Sequence, residues 1–428
     1  MSVTIDPHHQ QQLLERFLRY VQVDTQSAED STSSPSTERQ KELGRMLVDE
    51  LRELGCEDAE MDEFGYVFAT VPANLPDGHP AAGKVPTIGL LAHMDTYFAT
   101  PGANVRPQII ESYEGGDIEL PGAPDKKITI DENPNLVTCK GHTIVTSDGT
   151  TLLGADDKAG IAEILTAVAW LRDNPDFAHG PVRIGFTTDE EVGRGTEHFD
   201  VKKFGADYAY TLDGSDLGEI EDETFCADTA KVVIEGHDVH PGYAKDKLVN
   251  AVRVAAAIID ELNEECLPET TDERQPYLHP YTLSGNVTRT ELKVLVRAFS
   301  VEELNLQEDA LRAVAKKVGA RFPKAKISID VDESYRNMSY KIAEDPKVLE
   351  HAMEAIRRAG IEVKRRAIRG GTDGSRLSYM GLLTPNIWAG GQSFHSVLEW
   401  VSLDWMTKAV EATLLLLQVW VDKSVQEA

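Results

Sequence analysis

Short apolar runs alternate with longer amphipathic stretches through the first half of the chain. TIGLLAH, VRIGFTT and YAYTLD are apolar segments of strand length that end in polar residues, as expected of strands buried on both faces. AGIAEILTAVAWLRD, between the first two, has the length and apolar content of a packed helix. Leu43, Met46, Leu47, Leu51 and Leu54 recur at helical spacing and predict an amphipathic helix with one face on a core. The Ser- and Thr-rich SAEDSTSSPSTE before them reads as a loop, with Ser34 as helix cap and Pro35 at the first helical position. TIVTSDGTTLL sets an Asp-Gly turn between β-type runs and predicts a hairpin. Alternating strand and helix signals argue for an α/β sheet covered by helices.

From about Thr229 the pattern changes. AKVVIEG reads as a strand, KLVNAVRVAAAIIDELNE as a helix, YTLSGNV and ELKVLVRAF as strands, EDALRAVAKKVGARF as a helix and KISIDVDESY as a strand. The order β-α-β-β-α-β is that of a ferredoxin-like α+β unit. After Asn337 the α/β pattern resumes through PNIWAGG to a last helix, whose buried face is ATLLLLQVWV. The expected architecture is a discontinuous, mixed-sheet α/β domain over residues 1–221 and 341–428, interrupted by an inserted ferredoxin-like domain over 222–340.

Composition narrows the function. A chain of 428 residues is too long for one typical core. Its net charge of −29 argues against nucleic acid or an anionic membrane as partner. The amino terminus shows no basic segment followed by an apolar one, so no secretory signal is expected. The apolar tail run is too short to span a bilayer. Cys56, Cys139, Cys226 and Cys266 form no CxxC pair. Free thiols in a reducing cytoplasm fit best, and metal chemistry then falls to His, Asp and Glu.

Those residues sit where strands end. His93 and Asp95 follow one strand at i and i+2, so they project to the same face if the strand continues, as a metal-ligating imidazole and the carboxylate that orients it would. Glu190 and Glu191 follow a second strand, Asp213 a third and His395 a fourth, while Asp156 and Asp157 stand at the entrance to a helix. Open α/β sheets bind ligands at the carboxyl ends of their strands. This inventory suits a two-metal site, in which cations roughly 3.5–4 Å apart share a bridging carboxylate. Nitrogen and oxygen donors without sulfur suit zinc, with cobalt or manganese as substitutes. One of Glu190 and Glu191 can coordinate while the other acts as general base, and the spacing leaves open which.

HMDT, LLGADDKAGIAEI, FTTDEEVGRGTEHFDV, YTLDG, VHPGYAK, RGGTDGSRLSYMGL and GGQSFH, in this order, resemble the peptidase T family of tripeptide aminopeptidases. That family falls within the dizinc metallopeptidase group that also holds carboxypeptidase G and the aminoacylases. The resemblance implies that His93 and Asp213 are terminal ligands of one zinc, Glu191 and His395 of the other, and that Asp156 bridges them. It implies that Asp95 orients His93 and that Glu190 is the general base. It makes the inserted domain a lid, with His240, Arg297 and Asn337 as candidate substrate contacts. The implied activity is cytoplasmic removal of the N-terminal residue from short peptides, as a monomer or homodimer. A related hydrolase of dipeptides, C-terminal residues or N-acyl amino acids is the alternative, and a non-catalytic metal-binding protein is a more distant one. After the ligand histidine the family commonly carries Gly-Lys-His-Glu. Here Ser396, Val397, Leu398 and Glu399 stand instead, which makes that pocket wall apolar.

Overall fold

The computed structural model of the protein describes residues 3–426. The chain forms two compact units, one of Met1–Asp222, Tyr340–Arg366 and Thr372–Ala428, the other of Glu223–Ser339 and Ala367–Gly371.

In the first unit an eight-stranded sheet runs in the order Glu60–Met61, Val67–Val71, Val182–Thr187, Ile88–His93, Tyr208–Gly214, Asn386–Trp388, Glu219–Thr224, Lys364–Ile368. The strands from Val182–Thr187 to Asn386–Trp388 are parallel, and their neighbours Val67–Val71 and Glu219–Thr224 are antiparallel to them. Parallel strands are covered on both faces, which is why every residue of Ile88–His93 is buried and its sequence shows no alternation. Helices Pro7–Val21, Ala155–Asp173 and Leu403–Gln426 pack on one another, and Ala155–Asp173 lies against the Ile88–His93 and Tyr208–Gly214 strands. A Cβ on Gly160 would stand 2.0 Å from the Leu212 carbonyl oxygen. The glycine therefore lets this helix touch the backbone of the residue before Asp213. A separate aromatic cluster gathers Tyr66, Phe68, Phe199 and Phe204 with Leu91, Leu377 and Leu382.

Two local expectations are corrected. Ile144–Thr146 does not fold back on the residues after Asp148-Gly149. It pairs with Gln108–Ile110 and Trp400–Ser402 in a small four-stranded sheet. The Asp-Gly turn forms, with Thr150 N–H donating to Asp148 Oδ1 at 2.9 Å. Beyond it, however, the chain is drawn off by Glu399, which accepts from Leu153 N at 2.7 Å. The second correction concerns the helix start: it begins at Gln40 with Arg39 at its N-cap, not at Ser34 and Pro35. Ser36 is engaged elsewhere, its N–H donating to Asp189 Oδ2 at 2.6 Å.

The second unit runs Cys226–Glu235, Ala251–Asp260, Tyr277–Gly285, Arg289–Ala298, Val301–Arg321, Lys326–Tyr335. Its antiparallel sheet has the order Tyr277–Gly285, Arg289–Ala298, Cys226–Glu235, Lys326–Tyr335. This is the expected ferredoxin-like topology. Both helices cover one face, over a core that includes Val232, Ile234, Val254, Ile258, Val294, Val296 and Leu311. Among the described residues no helix is long and apolar enough to cross a membrane.

Candidate metal centre

His93 closes the Ile88–His93 strand, and Asp213 lies one residue from the end of Tyr208–Gly214. Val182–Thr187 passes into the turn bearing Glu190 and Glu191, and Asn386–Trp388 leads to the loop bearing His395. Because these strands are parallel, their carboxyl ends share one rim and the four segments deliver their side chains together. Asp156 enters from the opening of helix Ala155–Asp173, where its own backbone is non-helical (φ −83°, ψ 102°).

The Asp156 carboxylate lies between the two histidines. His93 Nε2 is 2.8 Å from Asp156 Oδ1, and His395 Nε2 is 3.3 Å from Asp156 Oδ2. Asp213 Oδ1 stands 3.6 Å from His93 Nε2, and Glu191 Oε2 stands 2.8 Å from His395 Nε2. Each imidazole thus has a carboxylate of its own, and both share Asp156. Ligand atoms of His93, Asp156 and Glu191 fall within 4.8 Å of one another, as do those of His93, Asp157 and Asp213. Asp157 is turned to the backbone, with Oδ2 accepting from His93 N at 3.2 Å and Oδ1 from Gly160 N at 3.3 Å.

Asp95 has two tasks. His93 Nδ1 meets the Asp95 carbonyl oxygen at 3.0 Å, which leaves Nε2 to face the carboxylates. The Asp95 carboxylate lies 3.4 Å from the same Nδ1 and accepts the N–H groups of Glu190 and Glu191 at 3.0 and 3.1 Å. One buried carboxylate therefore fixes both the histidine and the paired glutamates. Their turn is held from its other side by Asp189, in the left-handed region at φ 62°, which accepts from Gln40 Nε2 at 2.8 Å and from Ser36. His395 also has a left-handed backbone, at φ 59°. A non-glycine residue in that region is strained, and such strain concentrates at functional sites. Tyr97 stacks flat on the His395 ring, with centroids 4.0 Å apart.

Sequence reasoning missed Asp189, Asp373 and the second task of Asp95. Asp373 is buried beside this cluster and accepts from Thr187 Oγ1 at 2.7 Å. Its only signal is its place in GGTDG, a stretch that reads as flexible backbone. The three expected substrate contacts lie on the second unit. His240 is exposed, its Nδ1 accepting from Gly242 N at 3.1 Å. Arg297 lies on an interior strand and donates to the carbonyls of Asp228 and Val296, each at 3.0 Å. Asn337 is buried, donating to Phe299 O at 2.8 Å and accepting from Thr224 N and Ser339 N at 3.1 and 2.9 Å. Its amide is thus occupied in holding its own unit together.

The electrostatics call for cations. Burial pushes the carboxyls of Asp213, Asp373 and Glu191 up to about 6, about 7 and about 8. Glu190 is held well above the ordinary range, first by burial and then by the charges of Asp373, Asp213 and Glu191, with His93 opposing. For Asp156, hydrogen bonds from His395 and His93 outweigh burial and hold it low. For His395, burial resists the charge, but Asp156 and Glu191 push it up to about 11. Glu191 Oε1 is buried with no hydrogen-bond partner among the described residues. A buried acceptor in that state is normally explained by an ion or a water. The oxygen and imidazole donors fit divalent metal of the zinc type.

A pH dependence follows. With their raised values, Asp213, Asp373 and Glu191 keep protons in the folded chain at pH values where the unfolded chain has released them. Their contribution to stability is therefore complete below about pH 4 and is lost as pH rises to about 8. Chelator-treated protein should melt several degrees higher at about pH 5.5 than at about pH 8, and divalent metal should flatten the difference. A melting temperature of the metal-free protein that rises over this window would contradict the assembly of acids described here.

Residues 146–419 match the family described as Peptidase family M20/M25/M40. The chain is 47% identical over 414 residues to the peptidase T of Geobacillus thermodenitrificans, covering 97% of this chain and 99% of that relative. It is 46% identical over 411 residues to the peptidase T of Clostridium botulinum strain Loch Maree, covering 96% and 99%. Among solved structures, an aminopeptidase of Bacillus cereus aligns over 96% of this chain and 98% of its own, with a TM-score of 0.72 at 22% identity. A tripeptidase of Staphylococcus aureus aligns over 96% and 99%, with a TM-score of 0.73 at 22% identity. At that identity the two structures establish a common fold.

Proposed function

Because this chain belongs to the peptidase T branch of peptidase family M20/M25/M40, we propose that it is a two-metal aminopeptidase that removes the N-terminal residue from short peptides, tripeptides foremost. The observation that carries this reading is the Asp156 carboxylate, which turns one oxygen to each of two histidines lying 302 residues apart (395 − 93).

In this reading His93 and Asp213 would hold one cation, Glu191 and His395 the other, and Asp156 would be shared by both. Zinc is the first candidate, with cobalt or manganese able to replace it. The cations, when bound, supply Lewis acidity toward the scissile carbonyl and a water made acidic at neutral pH. Glu190 would serve as the general base, accepting a proton from the attacking water and giving it to the leaving amine. Burial raises the affinity of its carboxyl for protons, as suits a group that both accepts and returns one. The N–H donated to Asp95 keeps Glu190 in place while it works. His240 and Arg297 are proposed to contact the substrate, the Arg297 guanidinium donating to the carboxylate of the peptide. Asn337, already hydrogen-bonded within its unit, is proposed to support them rather than touch the peptide.

No disulfide forms among the described residues, in keeping with work in a reducing cytoplasm on peptides, as a monomer or homodimer. The test is product analysis with zinc on Ala-Ala-Ala, Ala-Ala and N-acetyl-Ala-Ala-Ala. Alanine and Ala-Ala should appear from the first, and the blocked peptide should resist. Rapid cleavage of the blocked peptide would overturn the aminopeptidase assignment. The apolar Val397 and Leu398, in place of a basic pair, lead us to expect measurable turnover of Ala-Ala as well.

A further inference from the structure

The 395–399 segment reaches the metal bed twice. His395 faces Glu191 and Asp156. Four residues on, Glu399 is buried at the start of the Trp400–Ser402 strand, which pairs with Ile144–Thr146. Its carboxylate points into the turn that delivers Asp156. Oε2 accepts from Leu153 N at 2.7 Å and Gly154 N at 2.8 Å, and Oε1 accepts from Asp156 N at 3.0 Å.

That turn cannot satisfy these groups itself. Gly154 is left-handed at φ 86°, and Asp156 and Asp157 are non-helical, so the helix of Ala155–Asp173 offers no regular first turn. Buried N–H groups need acceptors, and here a single acidic side chain, 243 to 246 residues away in sequence, takes three of them. A carboxylate accepting backbone N–H groups makes strong, directional bonds.

We propose that Glu399 is the positioning residue of the shared ligand: it fixes the 153–156 turn so that the Asp156 carboxylate presents one oxygen to each cation. This rests on the two-metal reading above. Groups that orient metal ligands are worth about 10- to 100-fold in metal affinity. With Glu399 altered, His93 with Asp213 and Glu191 with His395 remain, but the oxygen pair between them loses its aim. Binding of the second cation then suffers more than binding of the first.

The test is zinc titration of the metal-free full chain against a chromophoric competitor, on the parent, Glu399→Gln and Glu399→Asp. The parent should take up two cations. Glu399→Gln, equal in size but with an amide hydrogen facing the backbone donors, should bind the second about 10- to 100-fold more weakly. Its kcat should fall at limiting zinc and recover with excess metal, with KM little changed. Glu399→Asp keeps the charge on a shorter stem and should fall between the two. If Glu399→Gln does not fold, Glu399→Asp carries the comparison. Glu163→Gln, on the helix of Ala155–Asp173 that carries Asp156, is the control for loss of a buried acid. Glu163 is buried with neither carboxylate oxygen paired among the described residues, and this variant should keep both cations. Parent-like uptake of the second cation by Glu399→Gln, or by Glu399→Asp where only that variant folds, overturns this inference alone. A parent that binds no pair of cations overturns the two-metal reading and this inference with it.

Discussion

Glu190→Ala is expected to keep the parent's complement of bound metal and to lose turnover, with kcat falling about 10²- to 10⁴-fold. Glu191→Ala is expected to lose metal. The two residues are neighbours of the same type, and the structure separates them by what they face. Glu191 Oε2 stands 2.8 Å from His395 Nε2, and its other oxygen is buried without a partner. Glu190 has no such pairing with either histidine. Its proton affinity is raised by burial and by the acids around it. A group that moves a proton only during reaction contributes to the transition state and little to ground-state binding. The fall should therefore appear equally in kcat and kcat/KM, with KM nearly unchanged. Metal content by elemental analysis and steady-state rates on Ala-Ala-Ala settle the matter together. Full activity in Glu190→Ala would remove Glu190 from its assigned role. Full metal in Glu191→Ala would remove Glu191 from the ligand set.

Much of this arrangement is legible in the chain because it obeys a rule of position. Buried parallel strands read as apolar runs, and the polar residue that ends each run must lie at the same rim as the others. His93, Glu190, Glu191, Asp213 and His395 can be picked on that ground alone, and the ferredoxin-like unit follows from its order of elements. What stays hidden is whatever depends on a contact between distant segments. The Asp148-Gly149 turn looks like a hairpin, but the partners of Ile144–Thr146 are Gln108–Ile110 and Trp400–Ser402. Ser34 and Pro35 look like a helix start, yet Ser36 beside them is committed to Asp189, 153 residues away. The carboxylate of Asp95 looks like a partner for one imidazole, whereas the N–H groups it accepts lie 95 and 96 residues along the chain. Asn337 reads in the sequence only as a candidate contact, with no sign that its amide bonds to Phe299, Thr224 and Ser339. Local pattern carries the period of an element and the residue at its end. It does not carry the identity of a distant hydrogen-bond acceptor.

Asp156→Asn is expected to abolish binding of the cation pair and to lower turnover at least about 10³-fold, equivalent to about 4 kcal/mol of transition-state stabilisation. The substitution changes almost no volume but removes the charge and one of the two acceptor oxygens. Those oxygens lie 2.8 Å from His93 and 3.3 Å from His395, so an amide that faces one histidine with its oxygen must face the other with its NH₂. The adjacent Asp157 makes this a sharp comparison, because one of its oxygens also comes close to His93 and Asp213. Asp157, however, spends both oxygens on the backbone N–H groups of His93 and Gly160. Asp157→Asn is therefore expected to retain two cations. Calorimetric titration of the metal-free variants with zinc, run beside melting curves to establish that each is folded, distinguishes the pair. Loss of the second cation in Asp157→Asn with its retention in Asp156→Asn would transfer the bridging role to Asp157. It would also remove the geometric ground on which the peptidase mechanism is built, since only Asp156 stands between the two histidines.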